Sequence, residues 1–400
     1  MLAVGAPYSN GGGEDDGSGQ DSGSVQVYDY SDGISYQPRG PAIHGTEMGD
    51  TFGWSVSLSN DGDILAVGAP KSNGIGYVKV YKYDGEKYNE VINLSNGAFV
   101  GELFGHSTSL SGDGKTLAIG MPLIFPVGGL VNIYSIDVEA GTVSTYPEEM
   151  YGDSMFNSEL GYSVSVSNDG NVLVTVDRYY SEVEVHQFDG LNYESVCTVL
   201  GEAVTLSGDG TRFAVRNQTS AIVSVFFLNA TGVECSQFGQ AIPITNPSSP
   251  SSVSYDDPSE RMISLSSDGH VLAVANPFNT YGVQVYEEKY TVDGQIEYTT
   301  RGDAITVANA TTVSLSDDGR VLAIGVLFHD LGNGQFEDAG STLVYEWPVH
   351  ATSDSPTLLP SPVSSKCRAD DHSQFQLLMK KFTTYLHAHI LWKSAVSLRS

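Results

Sequence analysis

Phe52-Gly53-Trp54-Ser55-Val56-Ser57-Leu58-Ser59-Asn60-Asp61-Gly62-Asp63-Ile64-Leu65-Ala66-Val67-Gly68-Ala69-Pro70 is the stretch that decides the fold. Before Asn60, apolar and polar residues alternate with the period of a half-buried strand. After Gly62 the run is almost wholly apolar, as for a strand covered on both faces. Asp-Gly joins the two, because glycine tolerates the positive φ of a tight hairpin and aspartate bonds back to nearby backbone. Ser-x-Asp-Gly recurs six times, with its last two residues at Asp61 and Gly62, Asp113 and Gly114, Asp169 and Gly170, Asp209 and Gly210, Asp268 and Gly269, and Asp318 and Gly319. The aspartates stand 52, 56, 40, 59 and 50 residues apart. Strand–turn–strand units at such a period are the signature of a β-propeller.

A third strand of the type Val-x-Val-Tyr follows in most units, at 25–28, 78–81, 131–134 and 283–286, and a weaker fourth strand closes them. Four strands make one blade, and a lone blade cannot cover its faces. Residues 1–7 repeat 64–70 and supply a seventh copy. The sequence thus predicts an all-β, seven-bladed propeller of four-stranded antiparallel blades over 1–349, with the first blade truncated. It counts twenty-six strands, two short of twenty-eight. The expected absentees are the innermost strand of blade one and the outermost of blade seven. The two would be consecutive before Met1, which predicts a native start further upstream.

Phe-Gly-x-Ser-Val, the turn, Leu-Ala-Val-Gly-Ala-Pro and Gly-x-Val-x-Val-Tyr resemble the FG-GAP repeat of integrin α-subunit propellers. The resemblance spans roughly 1–348 and is fullest at Phe52-Gly53, Phe104-Gly105, Gly5-Ala6-Pro7 and Gly68-Ala69-Pro70. It implies an extracellular or cell-surface, adhesion-type protein. FG-GAP blades often carry an Asp-x-Asp-x-Asp-Gly calcium loop. Here that loop is reduced to x-Asp-Gly, too few oxygens for a calcium shell, so the family's calcium role does not carry over to these turns. The short turns resemble those of WD-type propellers.

Forty-eight Asp and Glu against nineteen Lys and Arg give a formal charge of −29. That balance argues against nucleic acid, whose binding rests on cations that neutralise phosphates. No apolar run is long enough to span a bilayer, and no signal peptide follows Met1. Three cysteines, Cys197, Cys235 and Cys367, make no disulfide framework. Cys197 and Cys235 fall in outer strands of adjacent blades, so they read either as a bridge or as two free thiols.

Candidate sites are few. Glu14, Asp15, Asp16 and Asp21 cluster on a glycine-rich loop that reads either as a weak calcium site or as a solvated acidic loop. Asp330 through Asp338 offers a similar, weaker case. Arg301-Gly302-Asp303 spells an adhesion tripeptide, but it also occupies the register of Arg39-Gly40-Pro41, the segment leading into the next blade. The nine histidines are scattered without metal-ligand spacing, and Gly-x-Ser-x-Gly is absent. Residues 350–369 read as a Ser/Thr/Pro-rich linker. Residues 370–400 read as a basic amphipathic helical tail. The functional expectation is a non-catalytic propeller without cofactor whose loops bind a protein or glycan. The alternatives are an intracellular, cytoplasmic WD-like scaffold and, third, a propeller enzyme whose site lies at the channel mouth.

Overall fold

The computed structural model describes residues 1–9, 21–30, 35–95, 102–123, 128–146, 150–152, 158–229, 234–244, 262–275, 282–307, 310–326, 341–347, 356–359 and 363–364. The basic segment 370–400 lies outside the described residues. Seven antiparallel sheets follow one another as blades, each running from the inside outward in chain order. Blade two shows the plan: Ser55–Leu58 innermost, then Ile64–Ala69, Tyr77–Tyr83 and Tyr88–Leu94. The inner strands of blades two to seven are Ser55–Leu58, Ser107–Leu110, Leu160–Val166, Ala203–Leu206, Ile263–Leu265 and Ala310–Leu315, and each meets the next. Blade one opens with Leu2–Ala6, which pairs with Ser24–Asp29 exactly as second strands pair with third strands elsewhere.

Six identical hairpins build the ring. In each, the serine Oγ donates to the aspartate Oδ1, as in Ser59 to Asp61 at 2.5 Å and Ser266 to Asp268 at 2.7 Å. The same Oγ accepts the N–H that starts the second strand, and the aspartate Oδ1 accepts the N–H two residues beyond it. The turn glycines take φ of 63° to 74°, which only glycine adopts without strain. The Ser59 hydroxyl, together with the Asp63 amide, holds the Asp61 carboxyl below its ordinary range.

The second strands are apolar throughout because alternate residues face opposite neighbours. Leu65, Val67 and Ala69 pack with Val25 and Val27 of blade one, while Ile64 and Ala66 pack with Leu117 and Ile119 of blade three. Phe52 and Phe104 are fully buried splices between blades, their N–H groups donating to Ser22 and Ile75 carbonyls of the preceding blade. A Cβ on Gly5, Gly68 or Gly120 would overlap the carbonyl oxygen of Gly53, Gly105 or Gly161 in the next blade. The Phe-Gly and Gly-Ala-Pro signatures are therefore two halves of one backbone-to-backbone contact.

Two expectations need correction. Blade seven does have an outer strand: Thr357–Leu358 and Val363–Ser364 both pair with Ser341–Glu346. Pro360 and Pro362 lie between the two pieces; proline cannot donate to a ladder, so the strand is split and its composition reads as a linker. Cys197 and Cys235 are joined, Cα to Cα 6.1 Å, which removes the free-thiol alternative and ties the outer strands of blades four and five.

The adhesion tripeptide is a structural corner. Arg301 donates through Nη1 to the Gly319 carbonyl at 2.8 Å and lies 5.0 Å over the Trp347 ring, tying blade six to blade seven. Gln284 Nε2 bonds the carbonyls of Val285 and Gly302, as Gln26 Nε2 bonds those of Val27 and Gly40. Arg39 repeats the arginine's part, 4.1 Å over Tyr83 and paired with Asp63 of blade two.

Two outcomes test this account of the seams. Gly120→Val should cost about 1–3 kcal/mol by forcing blade three from blade four, read as a lower thermal midpoint with unchanged far-ultraviolet circular dichroism. Cys197→Ser should cost about 2–4 kcal/mol, as expected for a bridge across 38 residues of chain, read by denaturant unfolding with and without reductant.

Candidate functional site

The two ends of the channel differ. At the turn end, the second residue of each Ser-x-Asp-Gly points to the axis. Asn168 Nδ2 donates to Ser267 Oγ at 3.0 Å across 99 residues of chain. A Cβ on Gly112 would come within 2.5 Å of Asn60 and 2.7 Å of Asn168, and one on Gly208 would overlap Asn168 and Ser267. Glycine at those two positions lets larger polar side chains from the neighbouring blades converge and fill this end. Backbone bonds run turn to turn around it: Asn60 to Gly112, Asp113 to Asn168, Asn168 to Gly208, Asp209 to Ser267 and Ser267 to Asp317.

The loop end gathers aromatic rings and cations. Gly53, Gly105 and Gly161, with φ of 87° to 90°, each place the next residue at the mouth. Those residues are Trp54, His106 and Tyr162, contributed by blades two, three and four. Their rings form a continuous belt, Trp54 to His106 at 5.7 Å and His106 to Tyr162 at 5.0 Å, with Tyr8 of blade one edge-on to Trp54 at 6.3 Å. Cations sit over it: Lys71 Nζ is 5.0 Å from the Trp54 ring and 5.6 Å from Tyr8, and Arg178 is 4.4 Å from Tyr162. Such contacts are favourable where water is thinned out. Glu202 holds the same repeat position in blade five and accepts the Gln218 N–H. The buried Arg216 beside it reaches Met262 of blade six.

Local structure fixes these groups. Trp54, His106 and Tyr162 each donate their backbone N–H to the residue three earlier, the carbonyls of Thr51, Leu103 and Glu159. Thr51 and Leu103 take φ of 54° and 60°, a left-handed conformation that costs a non-glycine residue about 1–3 kcal/mol. Asp177 Oδ1 accepts the N–H groups of Glu159, Tyr179 and Tyr180, and its Oδ2 accepts the Ser158 hydroxyl. Those bonds bracket Arg178 and aim it at Tyr162.

His106 is 2 % exposed and its Nδ1 lies 3.2 Å from the Tyr162 carbonyl oxygen. A carbonyl only accepts, so Nδ1 carries the proton. In the neutral ring Nε2 then holds the lone pair.

Of the acidic loop read as a calcium candidate, Glu14, Asp15 and Asp16 lie outside the described residues, as does 330–338. Asp21 sits in a turn with φ of 55°, its carbonyl accepting the Thr51 N–H. The six turn aspartates belong to the opposite end from the belt. Among the described residues, no three His, Cys, Asp or Glu side chains converge as a metal site, and no helix is long and apolar enough to cross a membrane. The belt itself escaped the sequence reading. Its signal was there: the residue after each Phe-Gly or Leu-Gly changes from Trp to His to Tyr to Glu while its neighbours repeat.

No known protein-family model matches the sequence, and no curated protein matches it. Solved structures do. The periplasmic gluconolactonase of Pseudomonas aeruginosa superimposes with a TM-score of 0.57 at 17% identity, covering 92% of this chain and 97% of that one. Proteins of Bacteroides uniformis and Bacteroides fragilis, both named as candidate 6-phosphogluconolactonases, give TM-scores of 0.59 and 0.58 at 11% and 12% identity over the same shares. At such identities the likeness is one of fold. It corrects the expectation of an integrin-type, non-catalytic adhesion propeller, since the propellers that match nearly end to end include ones named as enzymes. FG-GAP describes how these blades splice together and does not reach further.

A concavity lies on the outer flank between blades three and four, as two adjoining hollows of about 290 and 300 Å³ that share Tyr151, Leu160 and Glu184. His186 lines the first, 3.2 Å from Thr175 Oγ1. Burial pushes its imidazole below the ordinary value, against the pull of Glu184. The unfolded chain binds a proton here near pH 6.5 and the folded one resists it, so this contribution is full above about pH 6.5 and is lost as pH falls below it. The thermal midpoint should therefore drop between about pH 7.5 and 5.5, and His186→Gln should flatten part of that drop in a pH series of melting curves.

Proposed function

We propose that this propeller is an enzyme that hydrolyses the lactone of a sugar acid at the loop-end mouth of its channel. The observation that carries the reading is His106, buried in an aromatic belt with Nδ1 committed to the Tyr162 carbonyl and flanked on both sides by cations. The names borne by the gluconolactonase-type neighbours support the same chemistry.

Each part has a task in that reaction. Tyr162 is fully buried and holds the His106 ring in place, while the partly exposed Tyr8 ring offers a platform on which the C–H face of a sugar ring stacks. His106 Nε2 takes a proton from water as the oxygen adds to the lactone carbonyl. The tetrahedral intermediate then breaks its ring C–O bond, and the imidazolium returns the proton to the departing ring oxygen. The product is an open-chain hydroxy acid, and the imidazole is restored. Arg178, Lys71 and Arg216 supply positive charge for a carbonyl oxygen turning anionic, for the product carboxylate or for a phosphate on the sugar. These are three of nineteen Lys and Arg residues in a chain of charge −29, with the Asp177 and Glu202 carboxylates beside two of them. At physiological salt the distant carboxylates are screened beyond about 8 Å. The Cys197–Cys235 bridge supports an oxidising, extracytoplasmic compartment.

Purified protein should accelerate acid release from glucono-1,5-lactone or its 6-phosphate above the spontaneous rate in a pH-stat. His106→Asn should lower kcat by about 10²–10⁴, whereas Arg178→Ala should act mainly on KM. Hydrolysis at the spontaneous rate with either lactone, or an undiminished kcat in a folded His106→Asn protein, would refute the assignment.

A further inference from the structure

Five of the seams between successive blades share one set of contacts that continues unbroken from blade two to blade seven. An inner-strand hydroxyl four residues before the turn aspartate accepts an N–H from the next inner strand: Ser57 from Leu110, Ser109 from Val166, Ser165 from Leu206, Thr205 from Leu265 and Ser264 from Leu315. The turn-to-turn backbone bonds follow the same order and stop at Asp317. Ser314 is the next hydroxyl in the series and is exposed.

The faces on either side of this point are exposed in matching fashion. In blades two, three and four the second strands are buried at every residue. In blade seven, Val321–Val326 is buried only at alternate residues, with Leu322 and Ile324 packed on blade six and Val321, Ala323 and Gly325 half exposed on the other face. Across from them Leu2–Ala6 is half exposed along its whole length. Among the described residues its only ladder partner is Ser24–Asp29. Blade seven still meets blade one further out, where burial, with Tyr30 and the Glu346 carboxylate, pushes the Tyr36 phenol up to about 12.

Gly325 gives the seam its specificity. It stands in the register of Gly68 and Gly120, which the glycine of the next blade's Phe-Gly approaches backbone to backbone. The neighbours a Cβ on Gly325 would meet are instead atoms of Thr312 in its own blade.

We propose that the seam between blades seven and one receives one extended β-strand of the repeat's own pattern, Gly-x-Ser-x-Ser-x-Ser-x-Asp-Gly in form. Its edge pairs antiparallel with Leu2–Ala6, its N–H groups meet Ser314, and its glycine seats against Gly325. The occupant follows from continuity with the five seams already formed: the Ser314 hydroxyl as acceptor, the glycine and the apolar faces all await the element that each previous blade supplies. A second copy of this chain offers no such free strand, because its inner strands are already paired.

The test places residues 52–63 directly before Met1, which sets Met1 in the register of Ile64, and supplies 52–62 as a free peptide to the unfused chain. The fusion should raise the thermal midpoint by about 5 °C or more, and the free peptide should bind. Gly53→Val within the added strand should cancel the gain and weaken the peptide at least about tenfold. A fused chain that melts with the unfused one overturns the proposal, as does an equal gain from the Gly53→Val strand. Sedimentation of the unfused chain as a dimer that the peptide does not dissociate would assign the seam to a second copy and also overturn it.

Discussion

A four-stranded blade has two apolar faces and no means of covering either alone, so everything in this molecule depends on how closely one blade approaches the next. The nearest approach is backbone to backbone. Gly5, Gly68 and Gly120 meet the carbonyls of Gly53, Gly105 and Gly161, and a methyl group at any of the first three would collide with main chain that cannot yield. That contact sets the distance at which Phe52 and Phe104 fill the wedge between blades and at which the inner-strand serines reach across. The apolar character of the second strands is its consequence, because a strand held that close on both sides has no face left for water.

The same geometry separates the two ends of the channel. At the turn end, small residues alternate with Asn60, Asn168 and Ser267, so side chains from different blades interlock. At the loop end, the positive-φ glycines throw Trp54, His106 and Tyr162 to the axis on a backbone strained at Thr51 and Leu103. Groups that would be scattered along an extended chain come within 5–6 Å of one another only because their blades are adjacent. Aromatic rings, with Lys71 and Arg178 over them, are thereby gathered at one end of the channel.

Legibility in the sequence followed locality. Turns such as Ser59 to Gly62, in which every bond spans five residues or fewer, were readable directly, and from them the blade number. The Phe-Gly and Gly-Ala-Pro signatures were also readable, though as a family resemblance; their meaning as one contact between residues about 40–50 apart needed the structure. The belt was not readable as a site, because Trp54, His106 and Tyr162 are the positions where the repeat fails to repeat, and no spacing rule links them. Pro360 and Pro362 hid the outer strand of blade seven by breaking it into two-residue pieces. The Cys197–Cys235 bridge was one of two open alternatives, since pairing turns on the register of two outer strands that no local pattern specifies. Placing function by the FG-GAP resemblance misled, because the resemblance lies in the splice between blades and is silent on the residue just after it, where the belt lies.

The splice also changes character around the ring. Beyond blade four the glycine contact lapses: Val176 replaces the glycine of Gly-Ala-Pro, and a Cβ on Gly201 would meet Val215 and Arg216 of its own blade. Side-chain ties take over where it is lost. The disulfide joins blades four and five. Between blades five and six, the buried Glu288 carboxylate binds Arg212 at 2.5 Å and His270 at 2.6 Å, while Arg212 lies 4.5 Å over Phe238. Between six and seven, Arg301 bonds Gly319 and covers Trp347. A buried ion pair adds little net stability over an apolar contact, but breaking it leaves an uncompensated charge, so such ties enforce which surfaces meet more than how tightly. The second half of the ring has thus exchanged a contact that tolerates no side chain for ones that require particular side chains. Blade seven keeps the glycine, at Gly325, after blades four to six have lost it, and there a Cβ would come within 2.2 Å of Thr312 Oγ1 in the same blade.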